Sequence, residues 1–354
     1  MKAALAGSCL AAYLCCGCSL TGGGKEATIA SLGKRPPQLQ DVQIHTDEQL
    51  AMSAYSEYLE TAADSATRPL AMRRIADLNL EAEPLVQTDA ALSSATSRAA
   101  DSIRLYRQVL ELYPHRSDND MVLYQLARAY EHNGQPEASL ATLARLVHEC
   151  PDSGYALEAH FRRGEILFVQ QDYRAAEQSY AAVIAAQETS PFYRQSLYKS
   201  GWCYFKQSLF SEALDNFLAL LDLELQGTTS SGERVATLAP ARRELVSDTL
   251  RVASLSFSYE NDTDAIARYF SRHSPREYAD LLYESLGQLY LQQERYSDAA
   301  RTFASFAELH PLHSQAPRFQ MRVIETYEQG SFPTLVLQAK QDFVERSQLQ
   351  GNYW

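Results

Sequence analysis

The feature that most constrains the fold of this chain is a stretch of 29 residues from Tyr283 to Pro311, YESLGQLYLQQERYSDAARTFASFAELHP. Its apolar residues recur at helical spacing on both sides of a polar turn, which predicts two helices joined by a tight connection. The small residues Gly287 and Ala299 fall where the two helices would cross closely. One such hairpin cannot bury its apolar face alone, so we expect similar hairpins on either side.

This stretch resembles a tetratricopeptide repeat, a helix–turn–helix unit of about 34 residues. The resemblance implies an all-α fold, namely a right-handed superhelical solenoid of antiparallel helix pairs, here called helix A and helix B. The matching positions are Tyr283, Leu286, Gly287, Tyr290, Tyr296, Ala299, Phe303 and Pro311.

Weaker copies precede and follow this stretch, and together they predict six to seven repeats. The third and fourth copies are spaced by 37 residues, both from Gly164 to Gly201 and from Ala176 to Ala213. A repeat of about 34 residues with three added linker residues explains this spacing. The small residues at these positions are predicted to lie buried at helix crossings.

Four regions depart from the regular pattern. The first copy carries an insertion at residues 82–97, which predicts a surface loop. Ahead of it, Thr46 to Gln49 has the pattern of a capping box, and the helix that follows is predicted to cover the array with an apolar stripe. The fifth copy is degenerate, with a tight turn at Asn261 and Asp262, and the seventh, Phe319 to Arg346, has a poor second helix.

The chain is thus expected to fall into five segments. The linker loop between the two arrays is polar, contains Gly and Pro, and is the predicted hinge. The segments are a lipoprotein signal peptide (residues 1–17), a flexible tether (18–45), an N-terminal array of a capping helix and about four repeats (46–222), the linker loop (223–243) and a C-terminal array of about three repeats (244–354).

The first eighteen residues predict a membrane anchor. Lys2 precedes an apolar run that is too short to cross a bilayer, which needs about 20 apolar residues. The end of the run resembles the processing site of bacterial lipoproteins, in which a cysteine is acylated. Cys18 is the predicted lipidation site, and Cys16 is the alternative because Cys15 stands where that family usually has Leu. Ser19 implies sorting to the outer membrane, while an ordinary cleaved signal peptide is the competing interpretation.

No catalytic, cofactor-binding or metal-binding constellation is apparent in the sequence. Phosphate loops, nucleophile elbows and zinc-binding helix motifs are absent. His310 and His313 are close but flank a proline in a linker, and Cys150 and Cys203 are predicted to remain free thiols. We therefore expect no enzymatic activity, no cofactor and no metal. The net charge of −12 argues against nucleic acid as a partner.

The resemblance also implies where a partner would bind. In this family helix A lines the concave groove, and its second, fifth, ninth, twelfth and thirteenth positions face that groove. Packing between neighbouring repeats is the competing interpretation for Tyr124, Phe161 and Tyr198, whereas Trp202 is predicted to be an open anchor for a peptide. The implied groove residues are Tyr124, Arg128, Phe161, Glu165, Phe168, Tyr198, Trp202, Phe205 and Lys206.

Repeats and anchor together are similar to bacterial repeat lipoproteins that act as scaffolds in outer-membrane assembly, pilus or envelope machinery. That similarity implies a non-enzymatic scaffold that faces the periplasm and binds a protein or peptide. The alternative is a regulatory or accessory subunit of an envelope polysaccharide or peptidoglycan enzyme. Self-association through an uncapped C-terminal end is a further expectation, because Tyr353 and Trp354 fall where another repeat would begin.

Overall fold

A computed structural model describes residues 47–61, 66–81, 89–226, 235–260 and 264–346 of the chain. Within these ranges the protein forms sixteen helices and no strand, so the predicted all-α fold is confirmed. The predicted signal peptide, the tether and Cys18 lie outside the described residues. None of the described helices has both the length and the apolar character that a membrane span requires.

After one N-terminal helix, the α-helices alternate as helix A and helix B of seven hairpins. Helix A of the seven repeats is α2, α4, α6, α8, α10, α12 and α14, and a 3-10 turn at Gln187–Thr189 separates α7 from α8. The α-helices are α1 (Asp47–Thr61), α2 (Arg68–Glu81), α3 (Asp89–Leu112), α4 (Asn119–His132), α5 (Pro136–Glu149), α6 (Ala156–Val169), α7 (Tyr173–Ala185), α8 (Tyr193–Lys206), α9 (Phe210–Glu224), α10 (Pro240–Tyr259), α11 (Ala265–Arg272), α12 (Ala279–Gln292), α13 (Tyr296–Leu309), α14 (Ala316–Gln329) and α15 (Pro333–Arg346).

The chain divides into two compact units, residues 1–49 and residues 50–354. Of the first unit, the structure describes only the first residues of α1. All seven repeats belong to the second unit, in which each helix from α2 to α10 packs against the next. The same order continues from α12 to α15. The second unit is therefore a linear stack of hairpins, as expected of a repeat protein.

The helix pairs can approach closely because glycine in helix A leaves room for an aromatic ring of helix B. A methyl group added to any of three such glycines would collide with that ring, since real contacts of this kind are never under 3.0 Å. The pairs, with the distance from the added carbon to the ring, are Gly164 and Tyr180 (2.5 Å), Gly201 and Phe217 (2.5 Å), and Gly287 and Phe303 (2.2 Å).

The predicted small positions are confirmed. Ala176, Ala213 and Ala299 are fully buried, and so are Gly201 and Gly287. The register taken from the clearest repeat therefore applies to its weaker copies.

The turn from helix A to helix B also repeats at fixed spacing. Gly134, Gln171 and Ser208 have positive φ values of 67°, 64° and 60°, and they are 37 residues apart. Glu294 and Ser331, with φ of 58° and 61°, show the same relation two repeats later. Only one of the five is glycine, so the other turns hold an L-residue in the left-handed region, at some cost in conformational energy.

Two predicted loops are shorter than expected. Helix α3 begins at Asp89, so the second half of the insertion at residues 82–97 is helical, because its run of Ala, Leu and Ser favours a helix. Likewise α9 ends at Glu224 and α10 begins at Pro240, so both ends of the predicted linker 223–243 are helical. Proline suits this first helical position because its missing N–H is not needed there.

The expected apolar packing of the N-terminal helix is found at its C-terminal end, where the half-buried Leu59 packs against core residues of the first three repeats. No residue of α1 is buried, and Leu50 is 53% exposed. The same end of α1 also accepts a hydrogen bond, since Arg68 Nη1 donates to the Leu59 carbonyl at 2.7 Å. Thr46, the first residue of the predicted capping box, lies outside the described residues.

The fifth repeat is irregular, as predicted, whereas the predicted poor second helix of the seventh repeat is wrong. Helix α11 of the fifth repeat has only eight residues, since the chain becomes extended at His273 ahead of Pro275. As a result α10 packs directly on α12. In contrast α15 of the seventh repeat is a full helix of 14 residues, although none of them is buried. Asn261 and Asp262 lie outside the described residues.

Among the residues that the structure describes, buried side chains form three clusters rather than one. The first joins repeats one to three, from Met72 to Ala159, and the last joins repeats four to seven, from Ala213 to Val323. The last cluster runs without interruption past the predicted hinge. Between the two lies a small cluster in repeats three and four, made of Leu167, Ala176, Tyr180 and Cys203.

Candidate protein-binding face

The nine predicted groove residues lie on three consecutive A helices, α4, α6 and α8. Tyr124 is buried and Lys206 is exposed, while the others are half-buried. By helix they are Tyr124 and Arg128 on α4, Phe161, Glu165 and Phe168 on α6, and Tyr198, Trp202, Phe205 and Lys206 on α8.

Aromatic stacking links one repeat to the next at the fifth position of helix A. Tyr124 stacks on Tyr155 with ring centroids 4.8 Å apart, and its hydroxyl donates to Glu158 at 2.5 Å. One repeat later, Phe161 stacks on Phe192 at 4.9 Å. Tyr124 and Phe161 therefore pack between neighbouring repeats, which is the competing interpretation drawn from the sequence.

Tyr155 and Phe192 are missing from the sequence-based set. Each immediately precedes a helix A, and they are 37 residues apart, the same spacing that separates Tyr124 from Phe161. That shared spacing is the signal that could have found them.

Tyr198 makes the corresponding link across the predicted hinge. Its hydroxyl hydrogen-bonds to Asp248 of α10, whose carboxylate also pairs with Arg251 at 2.5 Å. Burial and this hydrogen bond raise the pKa of Tyr198. The phenol therefore stays a proton donor, and α8 is joined to α10 by a polar contact.

A second link is made by ion pairs between successive A helices. Arg162 of α6 binds Glu131 of α4 at 3.1 Å, and Lys199 of α8 binds Glu165 of α6 at 3.0 Å. Both cations hold the sixth place after their helix's first residue. Their partners differ in position, since Glu131 is twelve places and Glu165 nine places after the first residue of its helix. The two ion pairs neutralise much of the charge on the A helices, and such half-exposed pairs contribute about 1 kcal/mol or less each.

Glu165 and Phe168 both contact the same cation, Lys199 of the neighbouring repeat. Glu165 accepts a hydrogen bond from the Tyr180 hydroxyl at 2.5 Å as well as from Lys199. The Lys199 ammonium also lies 5.0 Å from the centre of the Phe168 ring, within cation–π range. Burial raises the pKa of Tyr180 well above its usual range. Both residues are thus fixed in place, and the half-buried ring of Phe168 remains partly accessible.

A pocket of about 200 Å³ opens among these residues. It lies between α4, α6 and the start of α8 and has an aromatic wall beside carboxylates that are already paired. Its volume suits a single side chain rather than a small-molecule ligand, which usually occupies about 300 to 1,000 Å³. The lining residues are Glu131, Glu158, Phe161, Arg162, Glu165, Ile166 and Phe192.

An aromatic cluster lies beyond this pocket, where α8 and α10 end and α9 begins. Trp202 meets Phe205 edge to face at 5.3 Å, and Phe210 stacks on Tyr259 at 5.1 Å. Tyr259 is 55% exposed. We call Trp202, Phe205, Phe210 and Tyr259 the aromatic cluster. The sequence-based set missed Phe210 and Tyr259, because neither lies on a groove position of helix A.

Trp202 departs from the expectation that it stands open in the groove. Its indole is half-buried and meets Phe217 of α9 at 6.5 Å, next to the space that Gly201 leaves for that ring. The Lys206 ammonium lies 5.7 Å from the indole centre. Replacing Trp202 with Ala is therefore expected to lower stability, and partner capture by that variant alone would be a poor test of binding.

The histidine pair and the cysteines do not form a chemical site in the part of the chain that the structure describes. His310 and His313 both pack against Phe306, at 5.0 and 5.2 Å, and burial lowers the pKa of His310. Cys150 and Cys203 are free thiols. Among the described residues no group of three or more His, Cys, Asp or Glu side chains could hold a metal ion.

Comparison with known proteins identifies the repeats. Family models described as tetratricopeptide repeat match residues 95–160 in one case and residues 156–224 and 285–325 in another. No curated protein matches the chain.

The chain is also similar to several solved structures. One is the C-terminal part of a TPR repeat-containing protein from Cytophaga hutchinsonii, at 11% identity and a TM-score of 0.42, over 85% of this chain and 91% of that one. MamA from Desulfovibrio magneticus is 14% identical with a TM-score of 0.35, over 56% of this chain and 98% of that one. A kinesin light chain TPR-like repeat protein from Podosopora anserina is 13% identical with a TM-score of 0.36, over 70% and 96%.

Proposed function

Because this chain is built of tetratricopeptide repeats, we propose that it is a non-enzymatic scaffold of the bacterial envelope that binds a protein partner through repeats three and four. The observation that carries the proposal is the placement of half-buried aromatic rings on adjacent A helices beside a small pocket. Phe168 on α6 and the aromatic cluster at the end of α8 pack against neighbouring rings and remain partly accessible. Aromatic anchors of this kind dominate the energetics of protein interfaces.

The charges on this face support a protein partner. Arg162 and Lys199 are both engaged by carboxylates of the same face, which leaves Lys206 as its exposed cation. The net charge of −12 argues against nucleic acid as a partner. An extended or helical peptide with apolar side chains for Phe168 and Phe205 and a carboxylate for Lys206 fits this pattern.

Photo-crosslinking in cells tests the binding face. A photoreactive amino acid at Phe168 or at Lys206 is expected to capture the same partner, which mass spectrometry then identifies. Leu112 at the end of α3 is the matched control position, because it is apolar and exposed but lies on a helix B. Equal cross-linking from Leu112, or none from the two test positions, would refute the proposed face.

The location in the envelope rests on the sequence of the first nineteen residues. The apolar run, the small residues and Ser19 support acylation of Cys18 and transfer to the outer membrane, with the periplasm as the working compartment. We expect the intact mass of protein extracted from membranes to include a lipid on an N-terminal Cys18. Cys18→Ala should release the protein into the soluble fraction, and Cys16→Ala should not. An unmodified N-terminus would rule out the anchor.

A further inference from the structure

The outer face of α15 carries apolar side chains that no described residue buries. Leu337 is 61% exposed and Val344 is 65% exposed, and they lie seven residues apart on one side of the helix. In the preceding repeat the equivalent residues of α13, Ala300 and Ala307, are buried where α14 packs. The face of α15 therefore has the position of a surface that the following helix A covers elsewhere in the array.

Helix α9 shows what such a surface binds. Counted from the first residue of each helix, Leu214 and Leu221 of α9 correspond to Leu337 and Val344 of α15. The two leucines of α9 are almost completely buried in the core cluster to which α10 contributes. Equivalent large aliphatic residues are thus covered by a helix in the fourth repeat and exposed in the seventh.

Helix α14 adds a charge requirement. In two pairs of neighbouring repeats, the residue nine places after the start of helix A is acidic or an amide. In both pairs it binds a cation that lies six places after the start of the next helix A. Glu165 binds Lys199 at 3.0 Å, and Gln288 binds Arg322 at 2.9 Å. In α14, the residue nine places after the start is Glu325. Its side chain is 55% exposed and pairs with Arg322 of the same helix at 3.5 Å. A helix that covers α15 would bring a basic residue to Glu325.

We propose that this terminal face, made of Glu325, Leu337 and Val344, binds an amphipathic helix of a partner protein that carries a Lys or Arg for Glu325 and apolar residues for the other two. The inference rests on the proposed scaffold function and adds a second contact site to it. A second copy of the chain fits less well. Helix α1 of a second copy, whose Leu50 is also exposed, has Asp47 and Glu48 in its first turn and no basic residue.

A peptide of residues 240–259, the sequence of α10, is a suitable probe because α10 covers the corresponding leucines in the array. Its Arg251 holds the position, two residues before the small residue of the crossing, that Lys199 holds in α8. We expect the fluorescein-labelled peptide to bind the full chain saturably in an anisotropy titration. Leu337→Asp should weaken binding by about tenfold or more. Leu112→Asp, equally apolar and similarly exposed, should leave the affinity unchanged.

A charge exchange makes the test specific. Glu325→Lys is expected to weaken binding of the natural peptide and to restore it for a peptide with Arg251→Glu. Absence of saturable binding to the natural chain, or equal affinities across these combinations, would overturn the proposal.

Two results would assign the face to another occupant and also overturn it. One is a concentration-dependent dimer in sedimentation that Leu337→Asp abolishes, which would mean that a second copy covers α15. The other is peptide binding only after residues 347–354 are deleted, which would mean that the chain's own end does so. Cross-links from Phe168 and Lys206 remain in Leu337→Asp if the proposed function holds, so failure of either idea is recognisable separately.

Discussion

At the scale of single residues, the close packing of helix A on helix B depends on three glycines, which carry no side chain at the crossing. Gly287 sits under the ring of Phe303, and the two other crossing glycines have the same relation to Tyr180 and Phe217. Because packed interiors tolerate little added volume, these positions accept hardly any substitution.

Replacing Gly287 with Ala is expected to destabilise the protein by about 1 to 3 kcal/mol, because the new methyl group would meet the Phe303 ring at 2.2 Å. Urea unfolding followed by circular dichroism measures the change. Gly154→Ala is the matched control, since no atom lies within 4 Å of its added carbon. Equal midpoints for the two variants would show that the crossing is looser than described.

The two described cysteines are expected to differ in reactivity. Burial raises the pKa of Cys203 to about 12, so almost none of it is thiolate at pH 8. Cys150 is half-buried and its pKa is raised too, but its sulfur is closer to solvent. Iodoacetamide at pH 8 followed by peptide mapping should label Cys150 first and Cys203 only in denaturant. Rapid labelling of Cys203 in the native protein would contradict its burial.

At the scale of elements, α9 organises the middle of the array through acidic residues. Glu224, almost fully buried, binds Arg194 of α8 at 2.8 Å and Arg242 of α10 at 2.5 Å. Two residues earlier, Asp222 accepts hydrogen bonds from Arg276 and Tyr278, which lead into α12. One helix end thus holds three A helices.

Glu224→Gln should therefore lower stability by about 1 to 3 kcal/mol, because the ionised acceptor of two guanidinium groups is lost from a buried place. The two arginines are about half exposed, so the effect stays below that of a fully buried pair. The exposed Glu212 on the same helix provides the control Glu212→Gln, which is expected to change little. Coincident thermal melting curves of the two variants would contradict this role of Glu224.

These contacts explain where sequence reasoning succeeded and where it failed. The crossing positions, such as Gly201 and Ala213, were predictable because local spacing and residue size alone define them. The linker at 223–243 was interpreted as a hinge from its composition, but the contacts of Glu224 connect residues far apart in sequence. Likewise Trp202 was assigned an open position from its place in helix A, although Phe217 from the next helix reaches it.

At the scale of the whole array, the hydrophobic core is smallest around repeat three rather than at the linker. The cluster from Ala213 to Val323 passes the linker, whereas only the small cluster around Tyr180 lies between the two large ones. Since repeat arrays are stabilised by contacts between neighbours, the weakest interface sets where partial unfolding begins.

Native-state hydrogen exchange in low urea is expected to show repeats four to seven opening together and separately from repeats one and two. Amides of α9 and α10 should share one opening free energy, because both helices contribute to the same core cluster. If α9 and α10 exchange independently while α5 and α9 exchange together, the linker is the weak point after all.

The central claim is that the A helices of repeats three and four bind a protein partner, and the affinity for the cross-linked partner tests it most directly. Phe168→Ala combined with Lys206→Glu should weaken binding at least about tenfold, which corresponds to roughly 1.4 kcal/mol. Leu112→Ala should bind as the natural protein does, and urea midpoints should show that every variant is folded. Unchanged affinity of the folded double variant would contradict the claim.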